Sequence, residues 1–512
     1  MIREILSCTV ITEIRMGLVR FSAAVLVILV VLAPGLYAGG FENSGVGTKA
    51  RGMGGAFRAI ADDWSAAYYN PAGYANALDN QLGANIAFVH HRDEIIPDYR
   101  WNGEWETGMF NDRTNYNTHE ILSSPAAGFM VRLPVWGETV FGLSAYQPFD
   151  RNVSWEMFQM LPTYNSKTSL PSDQYQVNLD VVAFQLTAAR EFMEDKLSLG
   201  VGLQLLRADL IYKNIYFRDN PLALIDSVSY DIFRDRPFRR LPQWSSNNGS
   251  GYGFGLRMGM MWKASEKADI GATIALPFSV TITGNAENYF YTSDRPTIWP
   301  TLPDGYQTTL KYLFLAGQTV RHQANFETKL DLPPSLGLGF AYRATEKLTV
   351  AVDVEYTLWS GYEGLEFKYS DHELPFGAAS DTATVAPDFF TSDLSAPVEW
   401  ENAGKLMLGT MYDYADYLTL LGGISFEQSP ARNSDQMVTP QFIDASNKMG
   451  LNFGFIAHID RWDVALTTSY QSQSSLSVDG FGDTEIGETV QAFPGDYEAS
   501  TYETILSFNY RF

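Results

Sequence analysis

From Gln81 to the last residue, apolar and polar side chains alternate with a period of two, the spacing of a strand with unlike faces. In the last segment Tyr502, Thr504, Leu506, Phe508, Tyr510 and Phe512 share one face, and Glu503, Ile505, Ser507, Asn509 and Arg511 share the other. The same reading puts Leu348, Val350, Val352, Val354, Tyr356 and Leu358 opposite Thr349, Asp353, Glu355 and Thr357. It also puts Leu197, Leu199, Val201 and Leu203 opposite Ser198, Gly200, Gly202 and Gln204. Fourteen such segments are predicted, at about 81–91, 125–135, 137–148, 176–191, 196–217, 250–263, 267–284, 322–343, 347–359, 402–413, 417–428, 447–459, 462–474 and 501–512.

The connections alternate between short and long. Short ones include 194–196, 265–267, 345–347 and 460–461, and long ones cover about 92–124, 149–175, 218–249, 285–321, 360–401, 429–446 and 475–500. A soluble sandwich can alternate apolar and polar residues, but no packing rule obliges its loops to alternate in length. An outer-membrane barrel has short periplasmic turns, long extracellular loops and an even number of strands, with an apolar lipid face and a polar lumen. The pattern therefore predicts an all-β, fourteen-stranded antiparallel transmembrane β-barrel over 80–512.

Composition narrows the function. Aromatic residues make up 14% of the chain and charged residues 19%, and there are 42 glycines. A net charge of −23 opposes binding to nucleic acid or other polyanions. Mean hydropathy is −0.13 and one long apolar stretch is present, which excludes a bundle of membrane-spanning helices. That stretch, 21–38, follows Arg15 and Arg20, passes through Pro34 and Gly35, and ends on Ala38 before Gly39 and Gly40. It reads as a secretory signal peptide over 1–38, with Met16 an alternative start. Cys8, the one cysteine of the sequence, precedes the apolar core, so thiol chemistry is not expected of the exported chain.

Residues 39–79 lack the alternation of the barrel segments. Gly45, Gly47, Gly52, Gly54 and Gly55 open this stretch, 56–69 is compatible with helix, and Asn70-Pro71 stops it. The Gly-rich start lacks the Lys-Ser/Thr pair of a phosphate loop. A short amino-terminal helical hatch in the lumen is expected. Arg132, Arg257, Lys329 and Lys405 fall on the predicted inner face, where acids such as Asp331, Asp353 and Glu503, or the carboxylate of a ligand, could pair with them. The histidines are His90, His91, His119, His322, His372 and His458. His119 stands beside Glu120, and His372 between Asp371 and Glu373, without a nucleophile elbow or a metal-binding His-Glu-x-x-His. No catalytic residue, metal or cofactor is expected.

Gly40-Phe41-Glu42-Asn43-Ser44-Gly45, the Gly-rich turn, Ala61-Asp62-Asp63 and Asn70-Pro71-Ala72-Gly73 together resemble the amino-terminal hatch of the FadL/TodX family of outer-membrane transporters of hydrophobic compounds. Leu332 to Gly339, and Asp353 through Trp359-Ser360, are similar to that family's paired central strands. The resemblance implies a monomer in the outer membrane of a Gram-negative-type bacterium, surrounded by its lipid. It would passively take up a hydrophobic small molecule, long-chain fatty acids first among them, through the hatch-plugged barrel with lateral exit. It assigns the hatch turn to Asn70, Pro71, Ala72 and Gly73, and makes Phe41 the aromatic residue near the lumen pocket; Arg257, Lys329 and Lys405, placed on the inner face by the alternation, are further ligand-binding candidates. Trp299, Tyr306, Tyr312, Leu313, Phe314 and Leu315, with Leu222, Leu224 and Ile225, are candidates for an apolar capture surface. The alternatives are an adhesin, a secretion-associated barrel or an outer-membrane hydrolase.

Overall fold

The computed structural model describes residues 40–43, 45–97, 113–117, 121–135, 137–193, 196–219, 240–294, 317, 319–373, 391–431, 441, 447–478, 493 and 495–512. The predicted leader, Ser44, His119, Glu120 and the predicted capture residues of 222–225 and 299–315 lie outside them.

Fourteen antiparallel strands close into one barrel. They are β1 Gln81–Pro97, β2 Leu122–Leu133, β3 Thr139–Trp155, β4 Tyr175–Phe192, β5 Leu197–Asp219, β6 Arg240–Ser265, β7 Ala268–Pro277 resuming as Val280–Tyr291, and β8 Thr319–Leu330 resuming as Ser335–Arg343. They continue as β9 Leu348–Thr357, β10 Ala403–Ala415, β11 Leu418–Glu427, β12 Lys448–Ile459, β13 Trp462–Gln473 and β14 Gly495–Arg511. Each strand pairs with its sequence neighbour, and β1 closes on β14 in continuous register from Gln81↔Arg511 to Pro97↔Gly495. Closure of β1 on β14 leaves no unpaired terminal strand, so outside the upper β2–β3 stretch the backbone N–H and C=O groups of the wall satisfy one another.

Two of the predicted segments are each broken once. Phe278 and Ser279 interrupt β7, and Asp331 to Pro334 interrupt β8. Pro333 and Pro334 have no N–H to give the ladder. The break changes the phase of alternation. Below it Leu336 and Leu338 face outward and Gly337 and Gly339 inward, the phase in which Lys329 would also be inward; above it Arg321, Asn325, Glu327 and Lys329 are exposed while His322, Phe326 and Leu330 are buried. Lys329 therefore belongs to the outer surface, 64% exposed and paired with Asp331 at 2.7 Å, and not to the lumen face expected for it. The expectation carried one phase through 322–343 as a single strand. The same break marks where the outer wall turns from apolar to polar, so the upper strands rise beyond the hydrocarbon.

Inside the barrel lie α1 Thr48–Gly52, α2 Ala66–Tyr69 and α3 Gly73–Asn76 with their connections. These helices are too short to be stable alone and hold because the wall packs around them. Glycines on the inner wall let them approach. A Cβ added at Gly83 or Gly128 would strike the Trp64 ring, at Gly142 Tyr74, at Gly200 Pro71 and Ala72, at Gly271 the Arg58 backbone, and at Gly423 Met53 and Gly54. Much of the glycine content thus serves close packing between a plug and its sleeve.

Candidate functional site

The plug is held by charge as well as by fit. Asp353 on β9 accepts the backbone N–H of Phe57 at 3.0 Å and of Arg58 at 2.8 Å through one oxygen, and the Arg58 guanidinium lies 3.3 Å from it. A second Arg58 nitrogen is 2.5 Å from Glu355. Asp353 and Arg58 have 0% and 3% of their side chains exposed, so this latch works out of bulk water. Arg51 at the end of α1 binds Glu503 on β14, the Nε donating at 2.9 Å.

The turn Asn70-Pro71-Ala72-Gly73 packs against β5 and β6. Asn70 ends α2, its Oδ1 accepts the Ala72 N–H at 3.2 Å, and its Nδ2 donates to Arg58 O at 2.8 Å and to Met260 O on β6 at 3.0 Å. One side chain thus closes its own turn and ties it to both the Arg58 loop and the wall. Pro71 and Ala72 abut Gly200, and Gly73 sits tightly against Ala61.

The inward cations proposed from sequence have protein partners. Lys405 lies between Glu355 and Glu427 across the sheet, 2.6 Å from Glu427. Arg132 donates to Ala75 O and Ala77 O, both at 2.9 Å, at the periplasmic end of the plug. Arg257 donates to Tyr68 O and stacks on the Tyr68 ring at 4.9 Å. It makes no ion pair among the described residues, but Glu42 and Glu355 line the same small cavity of about 20 Å³. At the periplasmic rim His458 meets Asp463 at 2.6 Å, a pair that sequence adjacency did not reveal because its partners lie on β12 and β13.

The first described residues run against β3. Glu42 forms a β-bridge with Phe149, the Asn43 N–H donates to Pro148 O at 3.0 Å, and the Asp150 N–H donates to Phe41 O at 3.0 Å. Phe41 enters an aromatic cage of Trp359 at 4.8 Å, Tyr362 at 5.2 Å, Phe149 at 5.9 Å and Trp400 at 6.0 Å. Beyond the cage the buried apolar surface continues through Trp155, Met157, Phe158, Leu161 and Tyr164 under the extracellular end. Glu42 accepts a hydrogen bond from Thr357 at 3.1 Å. Burial, and then the nearby Glu355 charge, push its carboxyl above the usual carboxylate range.

β3 also opens the wall. β2 and β3 pair from Leu133↔Thr139 to Ala127↔Ala145 and no further, although β2 continues to Leu122 and β3 to Trp155. β3 bulges at Gln147-Pro148 and keeps its pairing with β4, so its upper half leaves β2 and turns toward the lumen. Ser124 reaches Gln147 at 2.9 Å, a side-chain bond where the ladder is missing. Sequence reading left open which strand would part. Gln147-Pro148 closes the predicted segment 137–148, and the structure carries the strand past that pair to Trp155.

A family model described as "Outer membrane protein transport protein (OMPP1/FadL/TodX)" matches residues 26–512. Outer membrane protein P1 of Haemophilus influenzae is 21% identical over 86% of this chain and 88% of its own. A putative outer membrane protein of Neisseria meningitidis is 25% identical over 42% of this chain, a match spanning 40% of that protein. Among solved structures, a FadL homologue from Pseudomonas aeruginosa superposes with a TM-score of 0.68 at 16% identity, covering 93% of this chain and 100% of the other. The toluene transporter TodX of P. putida gives 0.64 at 16% identity, covering 92% and 99%. These likenesses share the closed fourteen-stranded fold.

Proposed function

The chain belongs to the OMPP1/FadL/TodX family of outer-membrane transport proteins, and from that premise we propose that it takes up uncharged hydrophobic compounds through the plugged barrel, releasing them sideways at the β2–β3 gap. The observation that carries this reading is the continuous apolar surface from the extracellular end to the Phe41 cage, which abuts the upper half of β3 where the wall parts. An apolar solute gains by moving along such a surface and by leaving into hydrocarbon instead of water.

Sequence reading ranked long-chain fatty acids first. The pairing of Lys405, Arg58 and Arg51 with carboxylates weighs toward uncharged solutes, because a fatty carboxylate would have to displace a protein carboxylate from each. Arg257 supports the second reading, a fatty acid whose head group reaches an inward guanidinium that makes no ion pair among the described residues. Uptake of radiolabelled toluene and oleate by cells expressing the protein, with and without Arg257→Met, separates the two. The proposal expects toluene uptake that survives the substitution and little oleate uptake. Oleate uptake that depends on Arg257 would replace it with the second reading, and no uptake of either would refute transport of hydrophobic compounds.

A further inference from the structure

The lower lip of the wall gap continues outside the barrel as an apolar trough. Two rows of cross-strand neighbours form it. One runs Leu82, Phe129, Leu143, Leu186, Leu203 and Leu256, each opposite the next from β1 to β6. The other starts at Ala84, Ala127 and Ala145 and passes to Phe184, Leu205 and Phe254. Because barrel strands are tilted, a row perpendicular to them crosses the membrane obliquely.

The second row changes size at β4. Ala127 and Ala145 leave a low floor beside Phe129, Leu143 and Phe184, and the concavity, about 890 Å³, spans this floor and the larger side chains around it. Ala127↔Ala145 is also the last paired rung below the gap, so floor and lip are the same residues. The polar residues along the trough turn away from it. Gln185 donates inward to Ala67 O at 2.9 Å and Gln204 to Tyr146 Oη at 2.7 Å, leaving the trough lined with hydrocarbon.

We propose that this trough is a binding site for an acyl chain of an outer-membrane lipid, held against the wall just below the gap. The bilayer is what surrounds this face, and no described segment of the chain covers it. The trough has no polar group to orient a head group, so it takes a chain and leaves the head group at the interface. Its continuity with the lipid-facing wall commits it to membrane lipid, while its contact with the lip gives the chain a task. A retained chain backs the opening with hydrocarbon and presents the emerging solute with an apolar phase. The site requires the outer-membrane location but does not require that solute leaves through the gap.

The test uses single cysteines carrying bimane at Leu143→Cys, on the trough rim, and at Phe455→Cys on β12, each in a Cys8→Ser background. Both residues face lipid, four positions from the short-turn end of their strands. Protein equilibrated with phospholipid brominated in its acyl chains is diluted into mixed micelles of the unbrominated lipid. Fluorescence at 455 should recover on mixing, and recovery at 143 should be roughly tenfold slower, the ratio corresponding to about 1.4 kcal/mol of extra retention. Ala145→Phe, or Ala127→Leu should the first not insert, fills the floor and should abolish the delay. Equal recovery at both sites, or a delay unchanged by filling, would overturn the proposal. Loss of quenching at 143 on adding an uncharged hydrocarbon at constant lipid would reassign the trough to the solute. Failure of transport with the delay intact would leave the lipid site standing and refute the function proposed above.

Discussion

Replacing Asp353 with Ala tests whether the plug is latched by one buried carboxylate. The wild-type carboxylate receives two backbone N–H bonds from Phe57 and Arg58 and one contact from the Arg58 guanidinium. Hydrogen bonds to a charged group contribute about 1.5–3 kcal/mol each, and breaking a buried pair by removing one partner costs about 3–5 kcal/mol. These contributions overlap, and Glu355 still holds Arg58 at 2.5 Å. A net loss of roughly 4 kcal/mol is therefore expected for Asp353→Ala, or about a thousandfold in the local docking equilibrium. Asp353→Asn keeps one carbonyl acceptor without the charge and should lose roughly 2 kcal/mol. Amide hydrogen exchange at Phe57 and Arg58 reads both changes, and planar-bilayer conductance reports whether the lumen has opened. Heat-modifiable migration confirms an intact barrel, whose wall hydrogen bonds do not use this carboxylate. Unchanged exchange at both amides in a folded Asp353→Ala barrel would refute the latch.

Asn70→Ala should leave Arg58 O and Met260 O without their side-chain donor and cost roughly 1–3 kcal/mol, loosening the plug against β6, which conductance would detect. Gly423→Val puts atoms where the Met53 and Gly54 backbone now lies, so it should expel α1 and its loop while the barrel still inserts; protease protection of the plug unchanged from wild type would contradict the close fit. Glu42 has a raised carboxyl pKa, so the stability it adds to the docked segment is full below the ordinary value of about 4.5 and is lost as pH rises through its raised value. Glu42→Gln should remove that dependence, and a wild-type docking profile flat from pH 4 to 9 by exchange at Asn43 would show that the group does not titrate there.

The strand count was legible because lipid-facing and lumen-facing residues alternate wherever a strand crosses hydrocarbon. It was legible only there. β14 begins at Gly495 and β6 at Arg240, earlier than the alternation suggested, because strands above the membrane need not keep an apolar outer face. The phase error at Lys329 has the same origin. Leu332 to Ser335 contains two prolines, and a ladder that cannot accept them breaks, after which parity carries no information across the break.

The site was legible in its parts but not in its assembly. Asn70-Pro71 announced a turn because both residues act on their own backbone, and their local chemistry suffices to predict it. Asp353 could be placed on the inner face, but its union with Arg58 spans a sequence separation that no period encodes. The glycines show the distinction most sharply. Gly83, Gly142, Gly200, Gly271 and Gly423 lie on five strands, each looking like an ordinary weak spot in its own ladder, and only the volume of Trp64, Tyr74, Pro71, Arg58 and Met53 explains them. A residue selected for what it lacks leaves no chemical signature beside its neighbours, so the wall's fit to the plug becomes visible only once both are in place. The β2–β3 gap obeys the same rule, since it consists of hydrogen bonds that are not made, and a sequence reports a missing partner only where a residue such as Pro148 forbids one.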